Sequence, residues 1–373
     1  MQYRQYAKTD IKLSALGFGA MRLPADDDYA VECMRRALDL GVNFIDTAMG
    51  YRSAKPGAEA GHSEVLVGRA IKGRRDEVYI STKNAIRERT AAHWRENLEN
   101  SLQRLDVDRI DIYQIVHDLR WEKYVNDFRP EGCGLGEAIK ARDEGLVGHF
   151  SFSSHDTPEN IMRLIDEGIF ESMIVQYNLL DRVNEAAIAH AAECGLSVLV
   201  MGPVGGGRLG MTSEKLQEIV PDARSTPELA FRFVLANPSV TVAMSGMNTI
   251  EMVEENCATA SRTEPLTADE LEAIEGALAD NQRLSELYCT GCNYCMPCPN
   301  DVGIPQAFAA MNMHRVWGLT DAARAQYRRL GPDNREGLLQ ADACVECGEC
   351  EEKCPQKLPI IEQLKETHEA LGE

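Results

Sequence analysis

Apolar residues recur along this chain in two alternating rhythms. Short runs that are apolar almost throughout lie at residues 16–19, 43–46, 78–80, 110–116, 146–152, 173–175, 197–201 and 240–245, and they read as strands buried on both faces. Between them, apolar residues spaced by three and four mark helix faces: Val31, Met34 and Leu38 before Gly41, then Trp94, Leu98, Leu102 and Leu105, then Ile161, Leu164 and Ile165. Further helices are expected at residues 63–71, 186–194, 227–236 and 250–260. Ahead of the rhythm, residues 2–6 and 11–14 flank the polar turn Lys8-Thr9-Asp10 as a small hairpin. Eight strands alternating with helices predict a parallel sheet closed as a (β/α)₈ barrel. An open doubly wound sheet would carry a first turn of the form G-x-G-x-x-G, which Gly17-Phe18-Gly19-Ala20-Met21-Arg22 does not complete.

After the barrel, expected over residues 1–265, a bridging helix is predicted at 266–284, with Leu271, Ile274 and Leu278 on one face. Residues 285–373 form a small, mainly helical, cysteine-rich domain. Of the 12 cysteines, Cys33, Cys133, Cys194 and Cys257 are scattered. Cys33, Cys194 and Cys257 fall in expected helices and suit core packing, whereas Cys133 sits in a Gly-rich loop. The other cysteines crowd between Cys289 and Cys354. A secreted disulfide scaffold would be short and preceded by an apolar leader, and residues 1–5 lack one, so metal ligation in a reducing cytoplasm is expected. A net charge of -20 argues against binding nucleic acid through phosphates or docking on anionic lipid, and no apolar run is long enough to span a membrane.

The spacings Cys289-x2-Cys292-x2-Cys295-x2-Cys298-Pro299 and Cys344-x2-Cys347-x2-Cys350-x3-Cys354-Pro355 suit two [4Fe–4S] clusters. Short loops let three thiolates meet three corners of a cube, whereas zinc sites are usually built from two C-x2-C pairs. The tail resembles a two-cluster ferredoxin-type domain with helices, over residues 305–341, between the runs. Crossed ligation would join Cys289, Cys292 and Cys295 to Cys354, and Cys344, Cys347 and Cys350 to Cys298.

In a parallel barrel the strand ends gather at one mouth, which brings Asp46, Tyr51, Lys83 and His117 into consideration together. A lysine cation held by Asp46 would lower the pKa of Tyr51, which then protonates a carbonyl oxygen while His117 hydrogen-bonds the same atom. Each has a plainer role open to it: a structural Asp46–Lys83 pair, a loop cap for His117 beside Asp118, a surface position for Tyr51. The aromatic residues Trp121, Tyr124 and Phe128 fit either a substrate pocket or a packed cover.

Asn43-Phe44-Ile45-Asp46-Thr47 with Tyr51, Ile80-Ser81-Thr82-Lys83 and Tyr113-Gln114-Ile115-Val116-His117 resemble the aldo/keto reductase family in order and strand position. So do Gly61-His62-Ser63-Glu64 with Gly68, Val175-Gln176-Tyr177-Asn178, and Glu255-Asn256. The resemblance covers about residues 1–260 and implies a barrel that binds a nicotinamide cofactor and reduces carbonyls, or oxidises alcohols. It implies catalytic roles for Asp46, Tyr51, Lys83 and His117, and contacts from Ser153 and Gln176 to the nicotinamide carboxamide. The loop carrying Gly202, Pro203, Gly205 and Arg208 would cover the pyrophosphate, and Ser245, Gly246 and Asn256 would meet the adenosine end. Members that prefer NADP often carry basic residues after the eighth strand, and residues 245–252 have none, with Arg208 or Arg262 as substitutes. NAD(H) and NADP(H) both stay open, and Met201 stands where many members place an aromatic residue.

Three functions fit these features. One is a nicotinamide-dependent carbonyl reductase with clusters for electron transfer or docking. Another is a reductase driven by ferredoxin or another redox partner, with little nicotinamide use. The third is a non-enzymatic electron carrier or redox sensor.

Overall fold

The computed structural model describes residues 1–85, 90–210, 213–220, 222–262, 264, 266–286, 295–334, 337–354 and 358–372, without the side chains at 208, 214, 215, 217 and 278–286. Two compact units are present: Met1–Gly205 with Ala230–Pro265, and Gly206–Leu229 with Leu266–Glu373.

The first unit begins with an antiparallel hairpin, β1 (Tyr3–Gln5) and β2 (Lys12–Ser14). Eight parallel strands follow: β3 (Leu16–Gly19), β4 (Phe44–Asp46), β5 (Tyr79–Lys83), β6 (Ile110–Gln114), β7 (Val147–Ser154), β8 (Ser172–Gln176), β9 (Ser197–Met201) and β10 (Val240–Ser245). They close in the order β10-β3-β4-β5-β6-β7-β8-β9, so the expected (β/α)₈ barrel is the observed fold. Each run expected as a strand became one because parallel strands under a helical jacket bury both faces.

Several barrel helices start where a side-chain cap satisfies a free backbone N–H group. Asp26 accepts from the Tyr29 N–H to open Asp27–Asp39, and threonines do the same at Ala91–Leu105 (Thr90), Pro158–Asp166 (Thr157) and Ile250–Ser261 (Thr249). One barrel helix, Gly134–Asp143, has no counterpart in the expected pattern. Its buried face consists only of Gly134, Ala138 and Ala141, too small to print an apolar stripe. The aromatic segment before it folds into helical turns, with Tyr124 and Phe128 at 1% and 0% exposure, so these two rings are packed cover and not pocket wall.

The hairpin closes the amino end of the barrel. Tyr6 and Leu13 join Phe44, Ile112, Ile174, Leu199, Val242 and Met244 in one buried cluster. The Tyr6 hydroxyl donates to Ser172 Oγ at 2.8 Å, at the first residue of β8. The opposite, carboxyl end is thereby left as the mouth.

In the second unit, the helices Ile304–Arg315, Thr320–Tyr327 and Ile360–Leu371 pack around Phe308, Leu319, Tyr327 and Leu364. The Tyr327 hydroxyl accepts from the Ala341 N–H at 2.8 Å and pairs with His368 Nδ1 at 3.0 Å, tying the segment after the helices to the last one. Ser213 Oγ donates to the Trp317 carbonyl at 2.7 Å, which anchors the stretch Gly206–Leu229 in this unit. The bridging helix runs Ala268–Glu286, with Ile274 buried.

Gly68 sits where the helix His62–Ile71 meets the end of Ala91–Leu105, and a Cβ there would lie 2.5 Å from the Leu105 carbonyl oxygen. Backbone cannot swing away as a flexible side chain can. Gly68→Ala is therefore expected to destabilise the barrel by about 1–3 kcal/mol, read as a lower unfolding midpoint.

Candidate functional site

The barrel mouth is built around a buried ion pair. Asp46 ends β4 and Lys83 ends β5, and pairing of Asp46 with Ser81 sets Lys83 two residues further toward the mouth on the same face. Lys83 Nζ lies 2.5 Å from Asp46 Oδ2 and donates to the Thr47 carbonyl at 2.7 Å. The other carboxylate oxygen, Oδ1, accepts from Gln114 Nε2 at 2.8 Å, and the same amide nitrogen reaches Ser81 Oγ at 3.1 Å. Asp46 and Lys83 are 4% and 3% exposed, so both charges depend on these partners and not on water. Burial pulls the Lys83 pKa down, but Asp46 and a hydrogen bond with the Tyr51 phenol outweigh it, and the net shift is upward.

Tyr51 lies beyond β4, its ring centroid 5.0 Å from Lys83 Nζ and 6.4 Å from the His117 ring, which it meets edge-on at 87°. The His117 backbone N–H donates to the Asn84 carbonyl at 2.8 Å, fixing the turn after β6 to the turn after β5. Asp46, Lys83, Tyr51 and His117 thus form one continuous set. The Tyr51 pKa runs against the sequence expectation: it is raised. Burial of the phenol outweighs the nearby Lys83 ammonium, which does lower it, and Asp46 pushes it further up. His117 is exposed, and its pKa is lowered first by the partial burial of its imidazole and then by the Lys83 charge.

Of the residues expected at a cofactor, Ser153, Gln176 and Ser245 lie at the ends of β7, β8 and β10, Gly202, Pro203, Gly205 and Gly246 follow strands, and Asn256 lies in the helix Ile250–Ser261. Ser153 on β7 is buried, and its Oγ accepts from the Asp118 N–H at 3.2 Å, leaving its hydroxyl hydrogen available to donate. Gln176 ends the adjacent β8, and its carboxamide packs over Gly202, where a Cβ would come within 2.5 Å of Oε1. Gly202 and Gly205 adopt positive φ, at 64° and 59°, and Pro203 between them is buried. Asn256 Nδ2 donates to Ser245 Oγ at 3.2 Å, with Gly246 exposed beside it. Glycines with positive φ beside serine and amide side chains allow close approach of a ligand to the backbone. The Arg208 side chain lies outside the described ones. Gln114 was missed by the sequence reading. Its signal was an amide between Tyr113 and Ile115, inside the mostly apolar run 110–116.

In the second unit, Cys295, Cys298, Cys344, Cys347 and Cys350 line a single cleft backed by Val302 and Leu364. Cys347 is exposed, while Cys350 is buried, and its thiol is pushed up to about 11 by burial first, then by Glu351 and Cys344. Cys354, buried at the end of the helix Glu349–Lys353, does not line that cleft. Cys289 and Cys292 lie outside the described residues. Five thiols converging from two runs fit a cluster-binding pocket. Of the scattered cysteines, Cys33 and Cys257 are core residues, and Cys133 and Cys194 are half-buried.

A barrel with acid, phenol, ammonium and imidazole at its mouth defines a class of oxidoreductase, and comparison with known proteins agrees. The sequence profile of the aldo/keto reductase family matches residues 15–279, and that of the 4Fe-4S dicluster domain matches residues 288–358. The chain belongs to the aldo/keto reductase family and carries a 4Fe-4S dicluster domain. It is 27% identical over 310 residues to the Bacillus subtilis oxidoreductase YqkF, covering 74% of this chain and 96% of that one. With the NADH-specific methylglyoxal reductase of Escherichia coli it shares 26% identity, over 67% of this chain and 90% of the relative. Among solved structures, an aldo-keto reductase of Bacillus halodurans in its holo form is 30% identical, with a TM-score of 0.64 over 74% of this chain and 96% of that one. A Klebsiella pneumoniae aldo/keto reductase in complex with NADP and acetate is 25% identical, with a TM-score of 0.60 over 71% and 91% of the two chains. Among the described residues, no helix is long and apolar enough to cross a membrane.

Removing one member of the buried pair strands the other. Asp46→Ala is expected to cost about 3–5 kcal/mol of stability, measured by denaturant unfolding, and the paired change of both residues to apolar ones should cost less. The lowered His117 pKa means that the unfolded chain binds this proton more readily. His117 therefore contributes a loss of stability as pH falls below its ordinary 6.5, and His117→Gln should flatten that part of the stability–pH profile.

Proposed function

We propose that the barrel reduces the carbonyl group of a small molecule, or oxidises the matching alcohol, with a nicotinamide cofactor, and that the cysteine-rich unit carries single electrons through two [4Fe–4S] clusters. The observation that carries the first half is the Lys83 ammonium, held between Asp46 and Tyr51, with the His117 ring edge-on to the phenol. When bound, the nicotinamide supplies or accepts a hydride at the substrate carbon. Tyr51, its pKa raised, holds its proton at neutral pH and delivers it to the carbonyl oxygen. Lys83 stabilises the phenolate as the proton leaves, and Asp46 keeps Lys83 charged while Gln114 holds the carboxylate in place. His117, its pKa lowered, is neutral and donates a ring N–H to the same carbonyl oxygen.

In this reading Ser153 and Gln176 grip the carboxamide, Gly202, Pro203 and Gly205 approach the pyrophosphate, and Ser245, Gly246 and Asn256 meet the adenosine end. One relative is described as NADH-specific and another was solved with NADP, while residues 245–252 here carry no basic side chain, so both cofactors belong in the assay.

For the clusters, the cleft holds Cys295 and Cys298 of the first run beside Cys344, Cys347 and Cys350 of the second, so thiols of both runs meet in one place, and the ligand spacing supports the crossed arrangement in which Cys298 serves the second run. Cys289, Cys292, Cys295 and Cys354 then hold the other cluster. A hydride moves two electrons together and a cluster moves one, so coupling between them calls for a flavin or a radical-tolerant substrate. The exposure of Cys347 favours a second reading, in which ferredoxin or another redox partner delivers electrons directly.

The test uses anaerobically prepared protein with intact clusters and a panel of small carbonyl compounds, following oxidation of NADH and of NADPH separately. Tyr51→Phe is expected to lower kcat by about 10²–10⁴-fold with little change in KM. Unchanged turnover in that variant would remove the proton-transfer role. Reduction supported by dithionite or reduced ferredoxin alone, and lost in Cys347→Ser, would select the second reading.

A further inference from the structure

Away from the barrel mouth, two outer helices bring together a second set of reactive side chains. The helix Pro158–Asp166 ends on Asp166, and the helix Glu185–Cys194 carries His190 and Cys194 one turn apart on the same face. His190 Nε2 lies 2.7 Å from Asp166 Oδ1 and 3.8 Å from Cys194 Sγ, and one donor atom from each residue lies within 4.8 Å of the other two. A carboxylate, an imidazole nitrogen and a sulfur thus gather within 4.8 Å of one another, from two elements that are remote from the proposed chemistry.

We propose that Asp166, His190 and Cys194 form a three-ligand site for Zn²⁺, with the fourth tetrahedral position open to water. As a purely organic cluster the arrangement is poorly matched. A proton on His190 Nε2 satisfies Asp166 and leaves the sulfur at the far limit of a weak contact. A divalent cation takes a lone pair from each of the three atoms at once, and this oxygen, nitrogen and sulfur set suits zinc better than the hard cations Mg²⁺ or Ca²⁺. Ordinary zinc–ligand bonds place neighbouring ligand atoms roughly 3.3–3.6 Å apart. The observed 3.8 Å edge lies just above that range, the oxygen–sulfur pair, within 4.8 Å, closes onto the ion, and the 2.7 Å edge opens if the Asp166 side chain, 60% exposed, shifts by less than 1 Å, about a rotamer adjustment. The helix Glu185–Cys194 follows Asn184, whose Nδ2 donates to the Gln176 carbonyl at 3.0 Å. Zinc at its far end would tie it to the preceding helix without touching a substrate or cofactor.

The experiment must keep iron in the cysteine-rich unit, since thiols emptied of iron also bind zinc. Protein prepared anaerobically with full iron content is titrated with Zn²⁺, and the bound metal is examined by X-ray absorption at the zinc edge. The expected result is one tight equivalent per chain, with a shell of one sulfur and lighter atoms that include an imidazole, and a raised barrel unfolding midpoint. Cys194→Ser and His190→Gln should each lose that equivalent and the thermal shift while keeping iron content and nicotinamide-dependent turnover. Uptake that persists in both variants, an all-sulfur shell, or no uptake by the iron-loaded wild-type protein would overturn the proposal. Because Asp166, His190 and Cys194 lie outside the catalytic set, failure here leaves the carbonyl reductase reading standing, and the reverse holds too.

Discussion

Two opposite charges held out of water at the barrel mouth set the terms for what surrounds them. Burying a carboxylate and an ammonium is costly unless each is matched by its neighbours. Here the matching comes from three strands and one turn: Lys83 and Ser81 from β5, Gln114 from β6, Asp46 from β4 and the Thr47 carbonyl just after it. None of those groups can move independently, because each is fixed by the strand register. The pair is therefore a rigid electrostatic fixture, and Tyr51 and His117, on the turns above it, take their proton affinities from it and from their own burial.

The strands were legible because a parallel strand covered on both sides must be apolar nearly throughout, and no other local structure imposes that in runs so short. The helix Gly134–Asp143 was not legible, because its inward face of glycine and alanine carries no apolar signal, although such small residues are what close helix packing permits. At the site, Asp46, Lys83, Tyr51 and His117 were found by residue type at strand ends, which is chemistry written locally. Gln114 was not, because one amide in an apolar run looks like an exception until the partner strand is in place. The sign of the Tyr51 shift was illegible for a deeper reason. It is a contest between a neighbouring charge and burial, and burial is a property of the assembled barrel.

The cysteine-rich unit shows the converse balance. Its ligand spacing could be read without any fold, since three thiolates two residues apart constrain the metal more than they constrain the chain. What spacing defined least was the crossing from the first run, whose last step is x2 and not x3, and the cleft, which holds Cys295 as well as Cys298 with the second run, brings the two runs together without separating their ligands. The exposure of Cys347 beside the buried Cys350 also makes the pocket asymmetric, with one wet edge and one dry edge.

The hairpin at the amino end has a bearing on how the barrel is made in time. Arg4 donates to the carbonyls of Leu235 and Val240, and Gln2 donates to the carbonyl of Arg262. Residues made before the barrel strands thus find their partners only after nearly all of the barrel sequence has been synthesised. Until then Tyr6 and Leu13 have no complete floor to seal, so the nascent chain carries exposed apolar surface for most of its elongation, and chaperone demand should fall in that interval rather than during the later helical tail.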